Sequence, residues 1–262
     1  MNRGKAKLVY QVHRAVDGKT EIITATEATA GDVNEAHLMI PLLEQHKTTT
    51  GLTADTVVAD SKYGTIENFL ICHDRGLQAH VPNLHEADAK KSAKLKIFTE
   101  DRFCYDQERD VYHCPAGNVL KRRSLHMSRQ SWDYAAPKKI CAACHLREQC
   151  TKNKSGRTLK RHLRQSELDK MREASRSAKS KLDIKTRQHL MERSFARSTR
   201  YDFDRARWRG LWRMRIQEYL TCAIQNIQVL ITNVLKPTKS INAQEMEIKI
   251  TSNRLYLACI SL

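Results

Sequence analysis

"LVYQVHRAVDGKTEIITATEAT", residues 8–29, holds two apolar, β-branched runs on either side of Asp17-Gly18. Val9, Tyr10, Val12 and Val16 give the first run strand character, and Thr and Ile dominate the second. An Asp-Gly pair between such runs is a hairpin signal, because a type I′ turn needs positive φ at both central residues. Asp17 is therefore read as a turn residue before a catalytic one. His13, with no acid or serine partner in sequence view, is read as structural.

Downstream, Val33, Ala36, Ile40 and Leu43 fall on a helical stripe, with Asp32 as a candidate cap and Pro41 awkward inside it. Val57-Val58-Ala59 is a short apolar run ending at Asp60. A helix is expected over "IENFLICHDR", stopped by Gly76, and "LQAHVP" reads as one more strand closed by Pro82. Strand, strand, helix, strand, helix, strand predicts an α/β layer with a mixed sheet.

From 83 to 165 the chain turns Lys-rich and irregular, with "FCYDQERDVYHCPAGNVL" and "KKICAACHLREQC". From 166 to 236 it is helical. Ser166 and Asp169 resemble a helix cap, and Ile184, Met191 and Phe195 share a stretch with Glu192. Ile216, Leu220, Ala223, Ile227, Leu230 and Val234 then keep a period near 3.6 until Lys236-Pro237. Residues 237–262 have no clear partner, and 1–82 form the first α/β segment.

The 262 residues carry 46 Lys and Arg against 29 Asp and Glu, a formal charge of +17. That excess points to a polyanionic partner, nucleic acid before a membrane surface, because no polybasic tract adjoins an apolar anchor. No secretory signal is visible, and no apolar run approaches the roughly 18 residues needed to span a bilayer. The chain reads as soluble and cytoplasmic, where clustered members of its eight cysteines suggest metal before disulfide.

Three constellations carry chemistry. Asp60 ends a strand, where an α/β sheet exposes groups to a ligand crevice, although many strand ends carry an Asp for turn reasons. Glu192 stands among Arg187, Arg193, Arg197 and Arg200. It is either a surface ion-pair member or one of the carboxylates that hold hard cations for phosphoryl transfer, with the arginines gripping phosphates. Cys141 and Cys144 form a Cys-x2-Cys pair, Cys150 follows, and Cys114 sits in "HCPAG". Four thiolates from two loops suit a tetrahedral structural Zn²⁺, with reduced unliganded thiols as the alternative. "RARWRGLWRMR" interleaves Trp208 and Trp212 with arginines that include Arg207 and Arg209. It suits phosphate and base contact, or tryptophans covering a core.

"YQVHRAVDG", "ATEATAGDVNEAHLMIPLLE", "VVADSKYGTIENFL", "FCYDQERDVYHCPAG", "CAACHLREQC", "MERSFARS" and "RWRGLWRMRIQEYLTCAIQNIQVLI" resemble, in this order, blocks of DDE-type insertion-sequence transposases. The nearest group has a cysteine-containing insertion before its final Glu. The resemblance implies a ribonuclease-H-like catalytic core that binds two Mg²⁺ through Asp, Asp and Glu. Asp60 would be the second acid and Glu192 the third. The family's first acid lies on a strand upstream of the Tyr-x-x-His block, and no acid precedes Asp17 here. The resemblance thus implies a transposase shortened at its N-terminus, weak or inactive alone, with an open sheet edge on two strands. It further implies double-stranded DNA (element ends and target) as partner, a homo-oligomer when intact, and the bacterial cytosol or nucleoid. The alternative is a non-catalytic DNA-binding remnant using the zinc insertion and the basic helices.

Overall fold

A computed structural model of the chain describes residues 9–83, 96–203, 205–235 and 254–261. It divides into two compact units, Met1–Asn83 with Lys170–Leu262, and Leu84–Asp169. The chain opens with β1 (Tyr10–Asp17), β2 (Ile23–Ala30), α1 (Met39–Thr50), β3 (Thr56–Val58), α2 (Ile66–Asp74) and β4 (Gln78–His80). The second unit holds β5 (Cys104–Asp106), β6 (Val111–His113), β7 (Val119–His126), β8 (Ser131–Ala135), α3 (Lys138–Ala142), α4 (Arg147–Cys150) and β9 (Thr158–His162). Then come α5 (Gln165–Arg176), α6 (Ala178–Thr199), α7 (Leu211–Leu235) and β10 (Arg254–Ser261).

The β1–β2 hairpin forms at Asp17-Gly18, but not through a type I′ turn. Asp17 Oδ1 accepts the backbone N–H groups of Lys19 and Thr20 and the Thr20 hydroxyl, and the Asp17 N–H donates to Ile22 O at 2.9 Å. Positive φ falls on Glu21, at 61°, and not on Gly18. Space is what requires Gly18, since a Cβ there would lie 2.2 Å from the Tyr256 ring. At the next element Asn34, not Asp32, is the cap, with its side chain accepting from Ala36 N. It opens a short 3-10 turn, Glu35–Leu38, so Pro41 falls in the first turn of α1, where a backbone N–H has no intrahelical acceptor anyway.

The first unit's sheet has the order β2-β1-β10-β3-β4. β10 runs antiparallel to β1, from Gln11 opposite Ser261 to Asp17 opposite Leu255, and parallel to β3. The end of the chain, which had no partner in sequence, therefore supplies the middle strand. The expected open edges are not found: β1 and β3 both pair with β10. Leu255, Tyr256, Leu257 and Ala258 are all buried, the unbroken apolar run of a strand covered on both faces.

α6 packs on β3, β4 and β10, and α7 packs on β2 and β1. Ser177 caps α6 by accepting from Ser180 N, whereas Ser166 lies inside α5 and is not its cap. α7 reverses the expected sidedness. Its buried residues include Met214, Gln217, Glu218, Thr221, Cys222 and Gln225, while Ile216, Leu220 and Ile227 are exposed. The polar residues turn inward because Arg14 and Thr26, on β1 and β2, bond Glu218. The side chain of Val234 and the predicted stop at Lys236-Pro237 lie outside the described residues.

Among its described residues the second unit is not irregular. Its strands form an antiparallel sheet in the order β5-β6-β7-β8-β9 around Phe103, Leu120, Tyr134, Ala136 and Leu159. "CYDQERDVYH" is a hairpin, in which Asp106 Oδ1 accepts the N–H groups of Glu108 and Arg109, and Asp110 takes the left-handed φ of 50°. Asp tolerates that conformation better than most residues do.

Candidate active site

β3 is buried throughout, and the chain leaves it through Ala59 into an extended Asp60. Asp60 caps the 3-10 turn Ser61–Tyr63, its Oδ1 accepting the Lys62 N–H at 2.9 Å. Its Oδ2 accepts from Arg187 Nη2 on α6 at 3.2 Å, and Arg187 Nε donates to Leu257 O on β10 at 2.7 Å. Arg187 was predicted to contact DNA, but its side chain is only 11% exposed, so it is an internal link between helix and sheet. Burial lowers its pKa, partly offset by Asp60.

Sequence reasoning missed the groups that surround Asp60. Glu35, buried in its 3-10 turn, pairs with Lys62, and that hydrogen bond raises the lysine pKa. His13 is fully buried, with Nε2 3.0 Å from Thr29 Oγ1 and 4.0 Å from Cys259 Sγ. Burial first, and the Lys62 charge second, lower its pKa to about 4. Burial also pushes the Cys259 thiol up, with Glu35 and Asp60 adding to the effect. The only signal in the sequence was the placement of His13 within a strand; Cys259 reaches it from β10, far along the chain.

Glu192 is exposed on α6 and accepts from Gln188 Nε2 at 3.1 Å. It follows Arg187 by five residues, about 7.5 Å along the axis and roughly 140° around it. No hydrogen bond or ion pair joins it to Asp60. Leu190 and Met191 bury beside it in the core, and Arg193 and Arg197 both pair with Glu21, at 2.7 and 2.8 Å. One turn before Arg187, the buried Asp183 bonds His80 at 2.8 Å and Arg254 at 3.3 Å, fixing α6 over β4 and β10.

In the second unit three of the four cysteines chosen from sequence, Cys114, Cys141 and Cys150, pack against the same apolar cluster. Burial raises the Cys150 thiol, and the thiols of Cys114, Cys141 and Cys144 act in the same direction. The Asn118 N–H donates to Cys114 Sγ at 3.3 Å. Gly156, at φ +95°, lies so close that a Cβ would meet Cys141 Sγ at 2.9 Å. None of the eight cysteines is in a disulfide. Among the described residues, no group of three or more His, Cys, Asp or Glu is arranged to hold a metal.

Residues 113–231 match the family model of the transposase DDE domain. This segment, a little under half of the chain, is similar to DDE-type transposases. No curated protein and no solved structure matches it. The matched segment contains Cys114, Cys141, Cys144 and Cys150, Glu192 and most of α7, whereas Asp60 precedes it.

Within the matched segment, the tryptophans before and in α7 do not cover a core. Trp208 and Trp212 are 49% and 60% exposed, and the Arg213 guanidinium lies over the Trp212 ring. Arg207 pairs with Asp202 at 2.9 Å, and Arg200 and Arg209 are exposed. No helix among the described residues is long and apolar enough to cross a membrane.

Proposed function

We propose that this chain is a DNA transposase domain that acts on double-stranded DNA and is weak or inactive in strand cleavage by itself. The observation that carries this reading is the state of Asp60, whose Oδ2 is held by Arg187 while Glu192 bonds Gln188 on the helix surface. The packing of α6 against β3, β4 and β10 supports a ribonuclease-H-like core; Asp60 and Glu192 are assigned as its catalytic acids by the resemblance of their sequence blocks alone. In the family, two magnesium ions supply the activation of water and of the freed 3′-hydroxyl. The residues present do not fit such a pair of ions. Mg²⁺ needs oxygen ligands in octahedral array, whereas Asp60 and Glu35 each already carry a cationic side chain.

Mg²⁺-dependent cleavage of a duplex containing an element end tests the reading. The expected result is salt-sensitive binding with little or no cleavage. Robust cleavage that Asp60→Ala abolishes would overturn it. Product analysis separates the alternative, a DNA-binding remnant, which gives bound duplex and neither hydrolysis nor strand joining.

The packing of Cys114, Cys141 and Cys150 on one apolar cluster, with Cys144 between the last two in sequence, supports a structural Zn²⁺ held by these four thiolates. The backbone N–H donated to Cys114 Sγ is the type of support a metal-bound thiolate receives. Metal analysis of the purified protein should find one zinc per chain, lost in Cys141→Ser. Absence of zinc from the unaltered protein would reject the site.

A further inference from the structure

Positive charge is unevenly distributed in the second unit. From Lys121 to Arg164 the sequence has thirteen lysines and arginines against two acids, Asp133 and Glu148, whereas residues 100–110 hold five acids. The basic residues of this strip divide by type. Its arginines are engaged inside the unit: Arg122 bonds Asp110 and lies over the Trp132 ring, and Arg147 donates to backbone carbonyls of Cys141, Asn153 and Lys154. Arg161 covers the Tyr105 ring at 3.7 Å, and the other arginines have partners of the same kinds. Its lysines are different. Lys121, Lys138, Lys139, Lys152, Lys154 and Lys160 are all exposed, and none has an ion pair or side-chain hydrogen bond with a described residue.

The sheet register explains where two of these lysines point. Lys121 and Lys160 are sequence neighbours of the buried Leu120 and Leu159, and alternation along a strand sends them to the opposite, outer face. Asp133, opposite Lys160, and Asp106, in line with Val111 and Lys121, are acids of that face, and both already have partners, Arg129 at 2.6 Å and Arg109 at 3.9 Å. The aromatic residues are not free to stack on bases. The hydroxyls of Tyr105 and Tyr134 both donate to Asp110, and ring centroids in the Tyr105, Tyr112 and Tyr134 cluster lie 4.9 to 6.2 Å apart. What this surface offers is flexible point charge. By contrast, most arginines predicted to grip DNA already have a carboxylate partner: Arg187 has Asp60, Arg193 and Arg197 share Glu21, and Arg207 has Asp202.

We propose that the lysine surface of the second unit is the main phosphate-binding surface of this chain, and that it binds duplex DNA without regard to sequence. The inference rests on the proposed action on DNA and moves the grip from the arginine-bearing helices to the cysteine-containing unit. Lysines that neutralise phosphates release counterions, so log K falls with log salt by about 0.9 for each contact. The test is fluorescence anisotropy of the full chain with a labelled duplex of random sequence across a salt series. Changing all six lysines to Gln should lower the slope by several and weaken binding at least tenfold, and changing all six to Arg should preserve both. Arg193→Gln with Arg197→Gln should change affinity less than twofold. An unchanged slope in the Gln variant, or loss of binding through Arg193 and Arg197 alone, would overturn the proposal while leaving the action on DNA standing. Failure of the unaltered chain to bind any duplex would remove both. Tighter binding to the matching single strand, lost in the Gln variant, would overturn the duplex assignment.

Discussion

Arg14 on β1 and Glu218 on α7 form a two-pronged ion pair, Nε to Oε1 at 2.6 Å and Nη2 to Oε2 at 2.9 Å, with neither side chain more than 1% exposed. The Phe195 and Phe203 rings lie 4.9 and 5.1 Å from the guanidinium carbon, and Ser198 accepts from Nη1 at 2.8 Å. Glu218 also accepts from the Thr26 hydroxyl at 2.6 Å. The pair thus joins β1, β2, α6 and α7 at one point. Losing one partner of such a pair strands a buried charge, which costs about 3–5 kcal/mol. Glu218→Ala should lower the urea midpoint accordingly, and Arg14→Met with Glu218→Leu together should recover most of the loss. Urea denaturation of the single and double variants checks this.

His13 makes stability depend on pH. Its folded pKa is about 4 because burial, and then Lys62, disfavour the charged ring, whereas Asp60 and Glu218 act weakly the other way. The unfolded chain takes up this proton near pH 6.5 and the folded chain does not until about pH 4, so stability should fall as pH drops through that window. The contribution is on the order of 3 kcal/mol. Denaturation at pH 7 and pH 4.5 should show a loss that is smaller in His13→Gln. An equal loss in that variant would assign the pH dependence to other groups.

Much of the alternation in the sheet was legible before any coordinates. The runs around Asp17-Gly18, the apolar 57–59 stretch and the helix closed by Gly76 stand where period and turn chemistry place them. What stayed hidden was tertiary. β10 pairs with strands some two hundred residues away, and no local pattern announces such a partner. α7 misled because its apolar residues obey helical spacing while the buried face is set by Arg14. Asp60 was legible as a strand end, but its company of Glu35, Lys62 and His13 arises from three separate segments.

Arg187 should matter more to folding than its place among basic residues suggests. It joins α6 to β3 through Asp60 and to β10 through Leu257 O. Hydrogen bonds to charged groups contribute about 1.5–3 kcal/mol, and Arg187→Ala removes the donor while leaving a half-buried carboxylate. Thermal unfolding should drop more for Arg187→Ala than for Asp60→Asn, because the amide oxygen of the latter still accepts from Arg187. If both variants melt with the unaltered protein, the link carries no stability.

Leu257 tests the role of β10 directly. Its side chain is fully buried and its strand lies between the antiparallel β1 and the parallel β3. Removing a buried leucine side chain costs about 2–5 kcal/mol, so Leu257→Ala should destabilise the first unit and leave the second unit's sheet intact. Leu257→Pro goes further, because proline removes a ladder N–H in the middle of a sheet and is tolerated only at edges and bulges. Without β10, both β1 and β3 would present open edges, the usual template for association between chains. The expected outcome is concentration-dependent aggregation of Leu257→Pro and rapid proteolysis within residues 9–83, while 96–169 survives digestion. A Leu257→Pro protein that stays monomeric and resists protease would show that the sheet does not depend on this strand.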